Sequence, residues 1–308
     1  MRILVTGSSG LLGAALAWEA FRRGYVPWCG YHSFRVTPPR GHPVQCDLRD
    51  AKEVESLVRE VNPDLVIHSA AATNVDQCEL QPDYATASNV GTTQNLAKSA
   101  SAVRAQFVYI STDAVYGGIA SEHIEGSLEW PVNVYARTKL QGELVASQEC
   151  GTPLIVRTTM FGWNIQPKMS LAEWMLRQYE ARKPFPGFSD VRFSPLFTGD
   201  LARLIFELAE KGSAGVHNLG SSDACSKYDF GRLIADVCGM PKRCIYPEHL
   251  EESDGMTPRP LNTAMNVDKA AGVLKRRLPT VKEGIEHFWN WHQDGTLDRF
   301  RQMGAGSK

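Results

Sequence analysis

The sequence lacks an excess of charge of either sign, a long unbroken apolar run and a Cys-x-x-Cys pair. Its 33 Lys and Arg residues balance its 34 Asp and Glu residues, and the formal net charge is −1. Proteins that bind nucleic acid or anionic membranes normally carry a basic excess or a basic block. A transmembrane helix needs roughly 18 apolar residues in a row, and the chain has no such run. We therefore expect no nucleic-acid partner and no membrane partner.

Cysteine and histidine are present, but their spacing excludes two kinds of site. The seven cysteines are odd in number and scattered, and the eight histidines form no His-Glu-x-x-His motif, so neither a disulfide framework nor a metal ion is expected. Free thiols are typical of a reducing compartment. The apolar run at the N-terminus is interrupted by glycine and serine at 7–10, which argues against a signal peptide. The sequence predicts a cytoplasmic protein.

Short apolar runs alternate with helical patterns through the first half of the 308 residues. Runs that are apolar throughout, such as 3–5 and 107–110, indicate strands covered on both faces. Repeated βα units of this kind predict an α/β fold of the Rossmann type, with a doubly wound parallel sheet. One of the expected helices is long and covers roughly residues 84–101.

A glycine-rich turn follows the first predicted strand and opens the first predicted helix. Residues 7–13 read Gly-Ser-Ser-Gly-Leu-Leu-Gly, with a glycine at every third position. Such glycines allow a tight turn, a close approach of the backbone to a diphosphate and close packing of helix on sheet, and the helix N-terminus attracts phosphate. The alternative is that the glycines only shape a turn. The residues predicted to bind a dinucleotide here are Gly7, Ser9, Gly10, Leu11 and Leu12.

The end of the second predicted strand favours one dinucleotide over the other. NAD-binding proteins of this fold usually carry a carboxylate at this place, which binds the ribose hydroxyls. Residues 28–35 contain no carboxylate that would repel a 2′-phosphate, and Ser33 and Arg35 are suited to bind one. We predict NADP(H) as the cofactor, with Tyr31, Ser33 and Arg35 among its contacts and NAD(H) as the alternative. A second interpretation makes Arg35 a solvated loop arginine.

The pattern changes after residue 158, where prolines become frequent and the regular alternation stops. We predict an NADP-binding Rossmann domain over residues 1–158 and a smaller C-terminal α/β domain over residues 159–308 that mainly binds the substrate. A strand-like run at 215–219 is a candidate to return to the first domain.

Tyr135 and Lys139 form a Tyr-x-x-x-Lys pair inside a helical pattern. Residues four apart lie on one face of a helix, so the phenol and the ammonium group face the same space. The ordinary pKa of tyrosine is about 10, and a nearby cation, aided by an oxidised nicotinamide, favours the tyrosinate and brings the group into a useful range for acid–base work. A second pair, Tyr179 and Lys183, does not come after a core strand that ends in polar residues, and we interpret Tyr179 as structural.

These motifs resemble the extended short-chain dehydrogenase/reductase family. The matching segments are residues 6–13, 46–48, 68–72, 111–113 and 135–139. Within the family, residues 63–67, 111–116, 133–143 and 259–265 look most like the dTDP-4-dehydrorhamnose reductases. The resemblance spans nearly the whole chain. It implies an NAD(P)-dependent oxidoreductase that reduces the 4-keto group of a nucleotide-activated deoxysugar with NADPH.

The resemblance also implies a role for each matching residue. Tyr135 donates a proton to the carbonyl oxygen, Thr112 hydrogen-bonds that oxygen, and Lys139 holds the nicotinamide ribose. The other expected cofactor contacts are Asp47, Leu48, Ala70, Ala71 and Ala72. The expected substrate contacts are Thr73, Asp113, Met160, Trp163, Arg259 and Asn262. For Arg259 and Asn262, a structural contact between the domains is the alternative.

Two positions depart from the pattern of the reductases. Met160 stands where these enzymes often have a tryptophan, and Trp163 is expected to compensate in the sugar pocket. Ala15 stands where some of them bind magnesium through a glutamate, so the resemblance adds no metal.

Three other functions are compatible with parts of the same pattern. A dehydratase is disfavoured, because Ala114 stands where dehydratases of the family carry a catalytic glutamate. A sugar-nucleotide epimerase uses the same threonine, tyrosine and lysine and stays an alternative. So does a noncatalytic NADP-binding regulatory subunit that resembles the β subunit of methionine adenosyltransferase, because a binding protein can retain these residues. A nucleotide-sugar substrate is the expected partner, and a homodimer is left open.

Overall fold

The computed structural model describes residues 1–118, 120–250 and 257–306. Their β-strands are, in chain order, β1 (Ile3–Thr6), β2 (Trp28–Tyr31), β3 (His42–Gln45), β4 (Leu65–His68), β5 (Gln106–Ile110), β6 (Leu154–Thr158), β7 (Met160–Phe161), β8 (Phe185–Phe188), β9 (Arg192–Phe193), β10 (Leu196–Phe197), β11 (Gly215–Leu219), β12 (Cys225–Ser226) and β13 (Ile245–Glu248). Their α-helices are α1 (Leu11–Arg22), α2 (Ala51–Val61), α3 (Val75–Leu80), α4 (Pro82–Thr86), α5 (Thr92–Ala102), α6 (Val134–Cys150), α7 (Leu171–Glu180), α8 (Thr198–Glu210), α9 (Lys227–Cys238), α10 (Asp268–Leu274), α11 (Val281–Gln293) and α12 (Thr296–Arg301).

Seven strands form one parallel sheet in the order β11-β6-β5-β4-β1-β2-β3. The chain runs outward from β1 to β3 in one direction and from β4 to β11 in the other. The predicted doubly wound parallel sheet is therefore confirmed. The order reverses between β1 and β4, and ligands of such sheets bind in the crevice that this reversal opens at the carboxyl ends of the strands.

The central strands are buried on both faces, as their uniformly apolar sequences predict. Side chains alternate between the two faces of a strand. Ile3 and Val5 of β1 accordingly pack in a core layer with residues of α1, α8 and α10. Leu4, between them, packs on the opposite face with residues of α2, α5 and α6.

The chain after residue 158 contributes to both parts of the molecule. β11 pairs in parallel with β6, and α8 packs beside α1 on the large sheet. The remaining strands form three small sheets, β7 with β10, β8 with β13 and β9 with β12. A further core is formed mainly by this second part, with Phe161, Phe197, Phe230 and Phe288, and Trp18 of α1 packs into it. The division at residue 158 stays a prediction.

The long helix expected over residues 84–101 is interrupted. α4 and α5 are joined by a π-helical turn, Ala87–Gly91, which shifts the register of the helix. Buried Asn89 lies in this turn, and its side chain accepts a hydrogen bond from the Ala72 amide at 2.8 Å and donates one to Thr138 Oγ1 at 2.9 Å. Among the described helices, none is both long and apolar enough to cross a membrane.

Candidate active site

A cleft of about 730 Å³ opens at the reversal point of the sheet. Its walls come from the carboxyl ends of β1, β2, β4, β5 and β6 and from the second part of the chain. The volume is that of an ordinary small-molecule or cofactor site.

The glycine-rich turn forms one wall of this cleft. Gly7 has φ +64°, and a Cβ at this position would lie 2.7 Å from Ala70 Cα. A Cβ at Gly13 would lie 2.0 Å from the Gly7 carbonyl oxygen, so the helix packs directly on the turn. Gly10 ends the turn with its amide donating to Gly7 O at 2.8 Å, and α1 begins at the next residue. The first amides of α1 therefore border the cleft at the place where a diphosphate would bind.

All the residues predicted for the dinucleotide line the cleft, with one exception. They are Gly7, Ser9, Gly10, Leu11, Leu12, Tyr31, Ser33, Asp47, Leu48, Ala70, Ala71, Ala72, Tyr135 and Lys139. Arg35 is exposed and lies outside the lining. The structure thus does not bring Arg35 to the cleft lining, and the residue after it, Val36, packs into a core.

A different arginine lies at this end of the cleft. Arg49 lines the cleft and donates to both carboxylate oxygens of Asp47, with N–O distances of 2.7 and 2.9 Å. These hydrogen bonds lower the pKa of Asp47 to about 2. His32 lies 3.9 Å from the same carboxylate. Sequence reasoning missed Arg49, although its place two residues after Asp47 at the end of β3 was a usable signal.

Thr112, Tyr135 and Lys139 meet at the floor of the cleft. Thr112 follows β5, and its Oγ1 donates to Asp113 at 3.2 Å. Asn133 caps α6 by accepting a hydrogen bond from the Ala136 amide at 2.9 Å, which places Tyr135 in the first turn and Lys139 one turn later. The Thr112 hydroxyl also lies beside the Tyr135 phenol.

Burial dominates the electrostatics of the tyrosine in the cleft. It raises the pKa of Tyr135 to about 12; the interaction with the Thr112 hydroxyl opposes this shift, and the charge of Asp113 adds to it. The Lys139 ammonium lies over the ring of Tyr109, 4.1 Å from its centre, and burial lowers its own pKa to about 7. The lowering of the Tyr135 pKa by Lys139 together with an oxidised nicotinamide stays a prediction.

Three of the six predicted substrate contacts lie in the cleft, namely Thr73, Asp113 and Met160. Asp113 is buried beside Thr112, and this burial raises its pKa to about 6. Trp163 instead belongs to the core of the second part of the chain. Its ring stacks on Phe288 with centroids 4.0 Å apart, and its Nε1 donates to the Phe288 carbonyl at 2.9 Å. The prediction that Trp163 compensates for Met160 in the pocket is corrected accordingly.

Arg259 and Asn262 also lie outside the cleft lining. Arg259 Nη2 forms an ion pair with Asp76 at 3.2 Å, which connects two distant parts of the chain. Asn262 donates to the carbonyls of Ala120 and Ser121 at 2.9 and 3.0 Å, so its side chain fixes a loop. These contacts correspond to the structural alternative that the sequence left open.

Lys227, at the start of α9, was missed. Burial lowers the pKa of its ammonium, and the nearby Arg259 lowers it further, whereas Asp113 and Asp190 raise it. The charges of Arg259, Asp113 and Asp190 therefore all act on the buried Lys227 ammonium. No local pattern indicates this, because 114 residues separate Lys227 from Asp113.

One further wall of the cleft could not be predicted from any motif. It is a segment of the second part of the chain, and its lining residues are Asn164, Gln166, Lys168, Met169 and Ser170. Gln166 Nε2 donates to the Ser9 carbonyl of the glycine-rich turn at 2.7 Å. Tyr179, of the second Tyr-x-x-x-Lys pair, is buried away from the cleft and donates to Gly231 O at 2.8 Å.

The model of the family described as the RmlD substrate binding domain matches residues 1–293. The chain belongs to this family. The resemblance of this RmlD-family chain to the extended short-chain dehydrogenase/reductases, and within them to the dTDP-4-dehydrorhamnose reductases, is confirmed.

Relatives of this RmlD-family chain include proteins of two different descriptions. It is 30% identical to methionine adenosyltransferase 2 subunit beta of Xenopus tropicalis, over 98% of this chain and 90% of that protein. It is also 30% identical to a probable low-salt glycan biosynthesis reductase of Haloferax volcanii, over 92% of this chain and 96% of the relative. The crystal structure of dTDP-4-dehydrorhamnose reductase from Bacillus anthracis in complex with NADP is similar with a TM-score of 0.83 and 26% identity, and the match covers 94% of this chain and 98% of that one.

Proposed function

We propose that this protein is an NADPH-dependent reductase that acts on the 4-keto group of a nucleotide-activated deoxysugar. The observation that carries the proposal is the meeting of Thr112, Tyr135 and Lys139 at the floor of the cleft whose wall is the glycine-rich turn. Tyr135, the proposed proton donor, and the cofactor site therefore lie in the same cleft. Similarity to dTDP-4-dehydrorhamnose reductase in complex with NADP supports both the reaction and the cofactor.

The cleft residues fit a dinucleotide. Gly10 has no side chain, so a diphosphate can approach the backbone at Gly10 and the first amides of α1. At the end of the cleft away from α1, Ser33 provides a hydroxyl and Arg49 a guanidinium. Among the residues that line this end, Asp47 is the only carboxylate, and Arg49 neutralises it. These groups favour the 2′-phosphate of NADP(H). NAD(H) stays the alternative.

Bound NADPH supplies the hydride that is added to the carbonyl carbon. Tyr135 gives its phenolic proton to the carbonyl oxygen, so that the ketone becomes an alcohol. The phenol carries this proton at neutral pH, because the ordinary pKa of tyrosine is about 10. Thr112 orients the oxygen through its hydroxyl, and Lys139 holds the ribose of the cofactor from the same face of α6.

The charge beside the catalytic floor supports an anionic substrate. The charge of Asp113 acts on the Lys227 ammonium, and burial makes the charge of Lys227 costly unless it meets an anion. A buried Nε of Arg259 has no hydrogen-bond partner among the described residues. The two phosphates of a nucleotide-sugar can provide this anion.

The proposal also includes a cytosolic location, because all seven cysteines are free thiols. It leaves room for a homodimer.

The test follows the absorbance of NADPH with a dTDP-4-keto-6-deoxysugar, for the wild-type protein and for Tyr135→Phe. We expect oxidation by the wild type and a loss of at least about 100-fold in the variant, which lacks the proton donor. Tyr179→Phe is the matched control, because it removes a hydroxyl from the other Tyr-x-x-x-Lys pair, away from the cleft. It should retain the rate.

Tight NADPH binding without oxidation would contradict the proposed substrate. The similarity to methionine adenosyltransferase 2 subunit beta would then favour the regulatory alternative, and a pull-down with a methionine adenosyltransferase catalytic subunit would test it. Conversion of the sugar to its epimer, with no net oxidation of NADPH, would favour the epimerase.

A further inference from the structure

Glu173 is a buried carboxylate in the first turn of α7, and it lies outside the cleft lining. Its Oε2 accepts a hydrogen bond from the Ser170 amide at 3.0 Å, and its Oε1 accepts one from the Asn164 amide at 3.2 Å. These two amides stand at the ends of the wall segment, residues 164–170, which forms one wall of the cleft. A single carboxylate thus closes the wall segment into a loop.

The start of a helix explains only one of these bonds. Ser170 and Glu173 form a capping box, which is an ordinary way to begin a helix. The bond from Asn164 lies outside that motif, because Asn164 comes nine residues before Glu173. Arg301 of α12 is a third partner, and its Nη2 donates to Glu173 Oε1 at 3.2 Å. The carboxylate therefore connects the wall segment to the last helix of the chain.

The middle of the wall segment is held by two other parts of the molecule. A Cβ at Gly304, just after α12, would lie 2.4 Å from the Ile165 carbonyl oxygen, so the two backbones are in direct contact. Gln166 Nε2 donates to the Ser9 carbonyl of the glycine-rich turn at 2.7 Å. The wall segment thus lies between the C-terminal residues and the turn at which a diphosphate would bind.

The wall segment also carries a cation into the cleft lining. Lys168 lines the cleft, and its ammonium has no carboxylate partner in the described part of the chain. Its charge is available to an anion in the cleft. The position of the wall segment therefore matters for a ligand with phosphate groups.

We propose that Glu173 is a positioning residue of the cofactor cleft. Its carboxylate fixes the wall segment, and with it Gln166 and Lys168, in the position in which the dinucleotide is bound. Arg301 holds the carboxylate in place. The effect on cofactor binding rests on the proposed function, whereas the closure of the wall segment by Glu173 does not.

The test compares Glu173→Gln with the wild type in two measurements on the purified full-length protein. Glutamine offers one acceptor oxygen in place of two, so one of the two amides loses its partner, and the charge that meets Arg301 is lost. Hydrogen exchange of the peptide that covers residues 164–170, without ligand, should become at least about tenfold faster. The dissociation constant of NADPH, measured by titration, should rise by about tenfold.

Glu283→Gln is the matched control. Glu283 also stands in a capping box, with Thr280 as the cap, and also pairs with an arginine, Arg277, at 2.6 Å. These three residues lie outside the cleft lining. The variant should therefore leave the exchange of residues 164–170 and the affinity for NADPH within about twofold of the wild type.

Arg301→Gln covers the case that Glu173→Gln folds poorly, because the Arg301 side chain is half exposed. It should change both measurements in the same direction, by about two- to fivefold. Unchanged exchange in Glu173→Gln, or in Arg301→Gln where the first variant does not fold, would overturn the proposal. So would an equal effect of Glu283→Gln on the wall segment, or faster exchange with unchanged affinity for NADPH.

Neither measurement needs a sugar substrate, so the experiment separates the two proposals. Both expected effects together with absent ketoreduction would support the role of Glu173 and sink the proposed reaction. Ketoreduction by the wild type, with neither effect in Glu173→Gln, would do the opposite.

Discussion

Gly10 and Gly13 belong to one motif, yet a side chain would meet different surroundings at each. A Cβ at Gly13 would press into the Gly7 carbonyl, with 2.0 Å to the oxygen and 2.6 Å to the carbon. A Cβ at Gly10 would have only the Gly7 oxygen nearby, at 3.1 Å, and would otherwise point into open space. Gly13 is therefore required by packing, whereas Gly10 leaves room for a ligand.

Gly13→Ala is predicted to destabilise the fold by about 3 kcal/mol or more, because backbone must move to admit the methyl group. Gly10→Ala is expected to fold with nearly unchanged stability but to bind NADPH at least about tenfold more weakly. Chemical denaturation and a fluorescence titration with NADPH measure the two effects. Equal loss of stability in both variants would refute the distinction.

At the same scale, the two Tyr-x-x-x-Lys pairs show what local spacing can predict. Sequence context separated Tyr135 from Tyr179 correctly, because Tyr135 comes after a core strand with polar residues at its end. The predicted lowering of the Tyr135 pKa by Lys139 and an oxidised nicotinamide is not visible from spacing or from the cleft residues alone, and it stays a prediction. Spacing identifies which side chains share a helical face, but burial arises from the elements that pack over that face, and here burial dominates the pKa.

Single elements follow from the sequence where their pattern is local. α2 is such a case: Asp50 caps it by accepting from the Lys52 and Glu53 amides, and Val54, Leu57 and the following apolar residues form its buried stripe. The break in the long helix at Ala87–Gly91 was missed. Its cause is a contact of Asn89 with residues of two other segments, which no helical period encodes.

The pairing of α8 with α11 carries a pH dependence. His287 Nδ1 on α11 lies 2.8 Å from Asp200 on α8, and this hydrogen bond raises the pKa of His287 above its ordinary value of 6.5. Arg203, which also binds Asp200, opposes the shift. A histidine whose pKa is higher in the folded state stabilises the fold fully below the unfolded pKa, and this contribution disappears as the pH rises through the folded pKa.

We therefore predict that Tm falls between about pH 6 and about pH 8, and that His287→Gln reduces this fall. Scanning calorimetry across this range measures it. His292→Gln on the same helix is the control, because His292 is exposed and has no carboxylate partner among the described residues. A pH dependence that survives in His287→Gln would rule out this pair as its source.

At the scale of the whole molecule, the cofactor cleft depends on both parts of the chain. The Gln166 side chain reaches from the second part to the carbonyl of Ser9, 157 residues away in sequence. This hydrogen bond connects the glycine-rich turn to the segment 164–170, which forms another wall of the cleft. Local sequence specifies the turn, but the position of this wall depends on contacts between distant segments.

Gln166→Ala should weaken NADPH binding by roughly two- to tenfold, corresponding to the loss of one hydrogen bond of about 1 kcal/mol. Its free energy of unfolding should change by no more than about 1 kcal/mol. Isothermal titration with NADPH provides the first value and denaturant unfolding the second. Gln302→Ala, at an exposed glutamine outside the cleft, should bind NADPH as the wild type does. An unaltered affinity in Gln166→Ala would show that the contact does not support the cofactor wall.

The sequence by itself determined the α/β class, the glycine-rich turn and the Tyr135–Lys139 pair. In each case the residues involved are close along the chain, so that strand and helix periods and glycine spacing specify their geometry. Only the tertiary structure decided the places of Trp163, Arg49 and Lys227. Trp163 lies in a core and Lys227 lies on the side of Asp113. Both positions depend on which distant segments pack together. No local sequence pattern specifies that packing, because it follows from the order of strands in the sheet.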